Sequence, residues 1–337
     1  MVTMSSVLEL LNVTYYVHIF FWSSIWSISL VIALILTPYS LLPYFIGLWS
    51  VYFLFIYYDR HTATTGGRHP RHRWLLWFLP STKYVRSYFN MKLVKTADLP
   101  PTTNYIFAVH PHTPWAIGGI HTLTNDLESA NKLFPNVYRH FVAKPGHFIA
   151  PWLREYCYAK GSVSATRESI DYMLSQPPSG GKSKAIMIYV GSGLETYHAQ
   201  RERTMRLLMK KSFGFVRMGL KHGSDLVPVI TFGENDIYTR VTWPPMVMLE
   251  KLIYKTTSKF GSGFAFFYGR YGTLVPYRSP ITTIVGKPIP VTKWSESEEP
   301  SREAIAKLHE IYCDELRKLY DDHKHAHGYG DVPLELI

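Results

Sequence analysis

The chain has 337 residues, a formal charge of +11 and a pI near 9.4, a balance that suits an anionic partner such as a bilayer surface or a phosphorylated cofactor. Hydrophobic residues make up 47% and charged residues only 18%, and the shortfall of charge lies at one end: no Asp, Glu, Lys or Arg occurs between Glu9 and Asp59. Two cysteines, Cys157 and Cys313, exclude a disulfide framework and a cysteine-rich zinc site, and no nucleic-acid motif accompanies the positive charge.

Two apolar runs come first, Val17 to Thr37 and Tyr39 to Tyr58. Each is about 20 residues, the length a helix needs to cross hydrocarbon. Pro38 and Pro43 flank the join, which suits a turn between helices. Residues 1–60 therefore read as a membrane hairpin, either crossing fully or re-entrant. A cleaved signal peptide fits poorly, because no basic segment precedes the run. Arg60, Arg68, Arg71, Arg73, Lys83 and Arg86 follow at once and place that end in the cytosol. The N-terminus then also lies in the cytosol, where the sequon Asn12-Val13-Thr14 stays unmodified. Tyr and Trp in the hairpin suit an interfacial belt.

Residues 61–337 read as one cytosol-facing α/β domain in a reducing compartment. Tyr105 to Val109 is a buried strand stopping at His110. Ala185 to Val190 is a second, stopping at Gly191, and Leu226 to Phe232 a third, stopping at Gly233. Arg167 to Gln176 is a helix ended by Pro177-Pro178, and Gly214 to His222 another ended by Gly223. After Pro300-Ser301, the spacing of Ile305, Leu308, Tyr312, Leu316 and Leu319 predicts a long amphipathic helix. This alternation predicts a mainly parallel sheet with flanking helices, and a ligand site beyond the C-terminal ends of its strands.

Two strand ends carry chemistry. His110-Pro111-His112 holds two imidazoles on a stiffened backbone, and either is a candidate base for an alcohol. Gly191-Ser192-Gly193-Leu194-Glu195 offers a tight turn and a carboxylate, to orient a histidine or to bind an acceptor hydroxyl. His323, His325 and His327 read as an exposed basic tail and not as a metal site. Ser162, Ser164 and Ser169 lack the setting of a nucleophile elbow.

From Tyr57 onward the chain resembles the type-2 diacylglycerol acyltransferase family, which includes monoacylglycerol and wax-ester acyltransferases. The resemblance rests on ordered blocks. Tyr105-Ile106-Phe107 leads into His110-Pro111-His112, and Pro151-Trp152-Leu153-Arg154-Glu155-Tyr156 follows. Next come Gly161 through Arg167 with Ile170-Asp171-Tyr172, Gly191 to Glu195, and Leu220-Lys221-His222-Gly223. Leu226-Val227-Pro228, Phe232-Gly233-Glu234-Asn235, Gly269-Arg270, Leu274-Val275-Pro276-Tyr277 and Val285-Gly286-Lys287-Pro288-Ile289 complete the series.

The resemblance implies a glycerolipid-acyltransferase-like fold with acyl-CoA as donor substrate, no tightly bound cofactor, and a neutral lipid acceptor. It also implies the endoplasmic-reticulum membrane and lipid droplets as location; a homo-oligomer is compatible with it. On these blocks the catalytic candidates are His110, His112 and Glu195. The substrate-binding candidates are Pro111, Thr113, Arg154, Arg167, Gly191, Gly193, His222 and Asn235, with Arg167 the counterpart of a phosphate-meeting arginine in more distant acyltransferases. The leading activity is esterification of diacylglycerol or monoacylglycerol. A long-chain alcohol or retinol acceptor, and a non-catalytic lipid-binding role, are the alternatives. Three positions depart from the family pattern: Thr113 stands for a glycine, Ser192 for the second glycine of its block, and Asn90 for a proline. A β-branched residue adopts positive φ poorly, so the loop after His112 is expected to differ.

Overall fold

A computed structural model of the chain describes residues 4–24, 26–67, 82–125, 127–151, 153–199, 204–257, 265–295 and 298–337. Arg68, Arg71 and Arg73 of the basic stretch, and Trp152, lie outside the described residues. The chain opens with helices α1 (Met4–Ser24), α2 (Trp26–Leu36) and α3 (Leu42–Tyr58). The Pro38 carbonyl accepts the Leu41 amide in the turn between α2 and α3, where the prolines predicted it. Among the described residues, no helix is long and apolar enough to cross a membrane.

The α/β part runs through α4 (Thr82–Tyr88), β1 (Lys92–Lys95), β2 (Tyr105–His110), α5 (Ile117–Ile120), α6 (Leu127–Leu133) and β3 (Val137–Ala143). It continues with α7 (Leu153–Ala159), β4 (Val163–Ser164), α8 (Arg167–Ser175), β5 (Ser183–Tyr189), β6 (Met205–Leu207), α9 (Gly214–His222) and β7 (Asp225–Phe232). Then follow β8 (Thr239–Arg240), α10 (Pro244–Thr257), β9 (Phe267–Tyr268), β10 (Thr282–Val285), α11 (Arg302–Lys324) and β11 (Leu334–Leu336). The main sheet has the order β1-β10-β7-β2-β5-β3-β4, with β2 at its centre. Only β10 against β7 is antiparallel in this sheet; the other neighbours run parallel.

Both faces of the sheet are covered, which is why its central strands read as unbroken apolar runs. All six residues of β2 are buried. Alternate residues serve different cores: Ile106 and Ala108 pack with α9 and α11, whereas Tyr105, Phe107 and Val109 pack with α5 residues on the opposite side. α11 buries its predicted stripe of Ile305, Leu308, Tyr312, Leu316 and Leu319. Ser301 caps it, its Oγ accepting the Ala304 amide at 3.1 Å. α8 is capped likewise by Thr166, and α9 ends at Gly223 with φ 63.

Two features depart from expectation. The first half of α1 is amphipathic: Val13, Tyr16 and Val17 are buried against Val85, Tyr88, Phe89 and Tyr156. Glu9 accepts from Ser87 and Arg278, each at 2.5 Å. In the histidine-rich tail His325 is exposed, as expected, but His323 and His327 are partly covered. The His327 ring stacks on Phe232 at 4.9 Å, and β11 pairs with β6, because the apolar residues after the histidines have a strand to join.

Candidate active site

The C-terminal ends of β2, β3, β5 and β7 lie side by side, and each is followed by a polar loop. His110 closes β2 and is fully buried. Its Nε2 lies 3.0 Å from the Tyr312 hydroxyl, which donates its own proton to the Ala108 carbonyl at 3.2 Å. His110 therefore carries its proton on Nε2, and its Nδ1 has no partner among the described residues. Burial pushes its pKa down to about 3, so it is neutral throughout the physiological range. The peptide bond to Pro111, itself buried, is cis.

His112 is only half-buried. Its Nδ1 lies 2.8 Å from the Thr113 carbonyl oxygen, which can only accept, so Nδ1 holds the proton and Nε2 keeps a free lone pair. The ring meets Tyr189 edge to face at 5.2 Å, and Tyr189 is fixed by donating to the Ala116 carbonyl. Burial, reinforced by the charge of Lys144 and then by His147 at the end of β3, holds the His112 pKa near 4.

Two buried carboxylates brace this loop. Glu195 accepts the His112 amide at 2.6 Å and the Leu208 amide at 2.9 Å, so it grips the backbone and not an imidazole. Gly191 makes the grip possible: a Cβ there would sit 2.4 Å from the Glu195 carboxyl carbon. Gly193 contributes its carbonyl to Thr196, closing the turn. Glu234, just after β7, accepts the Thr113 hydroxyl at 2.8 Å and the Gly118 amide at 2.7 Å. Gly118 is again obligatory, since a Cβ would meet the Glu234 oxygen at 2.2 Å. Burial raises both carboxyls to about 7, against the lowering pull of their hydrogen bonds.

The family model described as "Diacylglycerol acyltransferase" matches residues 39–336. The chain is 34% identical to human acyl-CoA wax alcohol acyltransferase 2 over 95% of both chains. It is 37% identical to mouse 2-acylglycerol O-acyltransferase 1 over 83% of this chain and 82% of the relative. Human diacylglycerol O-acyltransferase 2 is 34% identical over 84% of this chain and 72% of its own. The chain belongs to the diacylglycerol acyltransferase family. Among solved structures, a 1-acyl-sn-glycerophosphate acyltransferase from Thermotoga maritima covers 93% of this chain and 98% of its own, at 12% identity and a TM-score of 0.39.

Within this chain, the departures from the family pattern at Thr113 and Asn90 have local explanations. Thr113 keeps a negative φ; the positive values nearby fall at Ala116 (φ 49) and Ser192 (φ 51). The Thr113 hydroxyl has a use of its own, on Glu234. Asn90 takes φ 44, a conformation that asparagine tolerates well.

The remaining candidates of the family's blocks divide into structural and cleft-lining groups. Arg154 is 1% exposed and ion-paired with Asp59 and Glu155, tying α7 to the end of α3. Arg167 is exposed and pairs with Glu299 and Asp171. His222 bonds the same Asp171 at 2.7 Å, as does Lys221 at 2.8 Å. Asn235 lines a cleft beside Thr113 and Glu234. The two arginines should therefore respond differently to substitution. Arg154→Met, removing the buried guanidinium that Asp59 and Glu155 share, is expected to destabilise by about 2–3 kcal/mol. Arg167→Ala should cost less than about 0.5 kcal/mol. Thermal melts of the two purified variants check this.

Glu234, Tyr189, Tyr312 and Lys144 escaped the sequence reading. Glu234 had a signal: like Glu195, it follows a glycine at the end of an apolar strand. The other three become visible only when elements distant in sequence are packed together.

Proposed function

We propose that this chain is an acyl-CoA-dependent O-acyltransferase that esterifies an acylglycerol, with His112 as general base. The observation that carries the reading is the His112 tautomer: Nδ1 is tied to the Thr113 carbonyl, and Nε2 is left with a lone pair just beyond the C-terminal end of the central strand. Nε2 takes the proton of the acceptor hydroxyl as its oxygen attacks the thioester carbonyl carbon. The carbon–sulfur bond then breaks, and the departing thiolate takes the proton back from the imidazolium. A base with a pKa near 4 is weak, so the proton moves as the carbon–oxygen bond forms and not before it. Lys144, whose charge is felt at His112, is a positive group available to the oxygen that becomes negative. The names of the relatives support acyl-CoA as donor and a neutral lipid as acceptor. They support a long-chain alcohol equally, which makes that the second reading.

The apolar helices support a membrane location. Ile35, Leu48 and Tyr58 are 74%, 70% and 86% exposed, surfaces that suit lipid better than water. At 11 and 17 residues, α2 and α3 extend about 17 and 26 Å, short of the roughly 30 Å hydrocarbon core. A re-entrant hairpin therefore fits better than two full spans. With Arg60, Lys83 and Arg86 after it, the domain faces the cytosol, on the endoplasmic reticulum or on lipid droplets.

The test is acyl transfer in microsomes from a neutral-lipid-deficient host expressing the chain. Labelled oleoyl-CoA is offered with diacylglycerol, monoacylglycerol and a fatty alcohol. Labelled ester well above the host background is expected. Its absence for every acceptor, with the protein folded and membrane-bound, overturns the reading.

A further inference from the structure

Beside the loop that carries His112 lies a narrow cleft, with Thr113, Thr196, Asn235, Tyr238, Arg240 and Phe267 among its walls. Its free volume of about 10 Å³ admits one water or one hydroxyl group. Two polar atoms of its lining residues are buried and have no hydrogen-bond partner among the described residues, Asn235 Oδ1 and Arg240 Nε. Asn235 is 7% exposed. Its amide orientation follows from Nδ2 lying 3.4 Å from the Met205 thioether, which accepts but cannot donate, so Oδ1 is the end left over. Arg240 is held in place by the Tyr197 carbonyl at 2.7 Å and by the buried carboxylate of Glu250.

The residues that line the cleft thus carry one unsatisfied acceptor and one unsatisfied donor, beside a space for one small group. A hydroxyl donates once and accepts once, and so completes both. We infer that this cleft is the subsite for a second hydroxyl of the acceptor, which makes the preferred acceptor a monoacylglycerol-like diol. The inference rests on the acyl transfer proposed above. A monoacylglycerol sets one hydroxyl against His112 and the other in the cleft, which begins one residue along at Thr113. A diacylglycerol brings an ester carbonyl instead, which suits Arg240 but opposes oxygen to oxygen at Asn235. A long-chain alcohol brings nothing, and both atoms stay unpaired. The Tyr238 and Phe267 rings, 4.8 Å apart, present apolar surface to the glycerol carbons.

Microsomes containing the full chain, given labelled oleoyl-CoA, decide this with three acceptors: 2-O-hexadecylglycerol, its mono-O-methyl ether and hexadecanol. The ether linkage prevents chain migration, and the methyl ether removes one donor and adds one methyl group, which the cleft has no room for. The expected kcat/KM for the diol exceeds that for the methyl ether by roughly 10- to 100-fold, because a site built for a hydroxyl rejects the analogue lacking it. In Asn235→Leu that ratio should fall towards one. Equal rates for the diol and the methyl ether in the wild-type chain overturn the subsite while leaving acyl transfer standing, and need no variant. A ratio that survives Asn235→Leu at normal abundance also overturns it. No ester from the diol, with diacylglycerol esterified by the same microsomes, overturns the subsite alone; no ester from diacylglycerol either overturns the acyl transfer itself, and the subsite with it.

Discussion

Replacing His112 with alanine is expected to lower acyl transfer by about 10²- to 10⁴-fold at near-normal protein abundance. The side chain is half-buried, and its one described hydrogen bond goes to the carbonyl of the next residue, so its removal leaves no distant group unpaired. His110→Ala should behave differently. It opens a cavity in the core and deprives Tyr312 of a partner, so abundance and melting temperature should fall along with activity. The pH profile separates the two roles further. A base must be neutral to act, and burial with nearby Lys144 holds His112 near 4. Activity should therefore rise as pH increases through about 4 and stay level across the usual histidine range. An acidic limb near 6.5 would mean that an ordinary, exposed histidine is the base. Stability follows the same sign. Both imidazoles titrate lower in the folded chain than unfolded, so their contribution is complete above about 6.5 and is lost as pH falls towards 4.

Glu195→Ala is expected to cost about 2–4 kcal/mol, because it strands the buried amides of His112 and Leu208. Activity should fall by roughly 10²-fold or more, since the loop that aims His112 loses its brace. Glu195→Gln should do little better, as its NH₂ group would face a backbone N–H. Gly191→Ala offers an independent route to the same state: its methyl would lie 2.4 Å from the Glu195 carboxyl carbon and force the carboxylate away. Matching losses in the two variants, in melting temperature and in kcat, are the expected result. Full activity in Gly191→Ala beside an inactive Glu195→Ala would instead point to direct chemistry by the carboxylate. Both buried carboxyls are raised to about 7, so their contribution to stability is present below about 4.5 and is lost as pH rises through 7. They and the histidines therefore press on stability in opposite directions, which favours an optimum on the slightly acidic side.

The central strands and α11 were legible because burial leaves a periodic trace. β2, β5 and β7 carry the apolar runs Tyr105 to Val109, Ala185 to Tyr189 and Leu226 to Ile230, and α11 repeats its buried residues at three- and four-residue intervals. The strand ends located the site for the same reason, since a parallel sheet exposes its loops there. What a sequence cannot express is the direction of a hydrogen bond. Glu195 read as a partner for an imidazole or for an acceptor hydroxyl, and only the fold turns both of its oxygens onto amides. Thr113 read as a misfit for a glycine until Glu234, 121 residues away, supplied an acceptor. The division of labour between His110 and His112 depends on Tyr312, 202 residues from His110, and was equally out of reach.

The seating of α1 bears on how the catalytic part of this chain can be prepared apart from lipid. Trimming everything before residue 61 would bare the seat formed by Val85, Tyr88, Phe89 and Tyr156 and leave Ser87 and Arg278 facing solvent where Glu9 had been. Such a fragment would be adhesive for a reason unrelated to the greasy helices removed with it. Excising α2 and α3 alone, and bridging the gap with a flexible linker, removes their exposed apolar surface while keeping the lid on that seat.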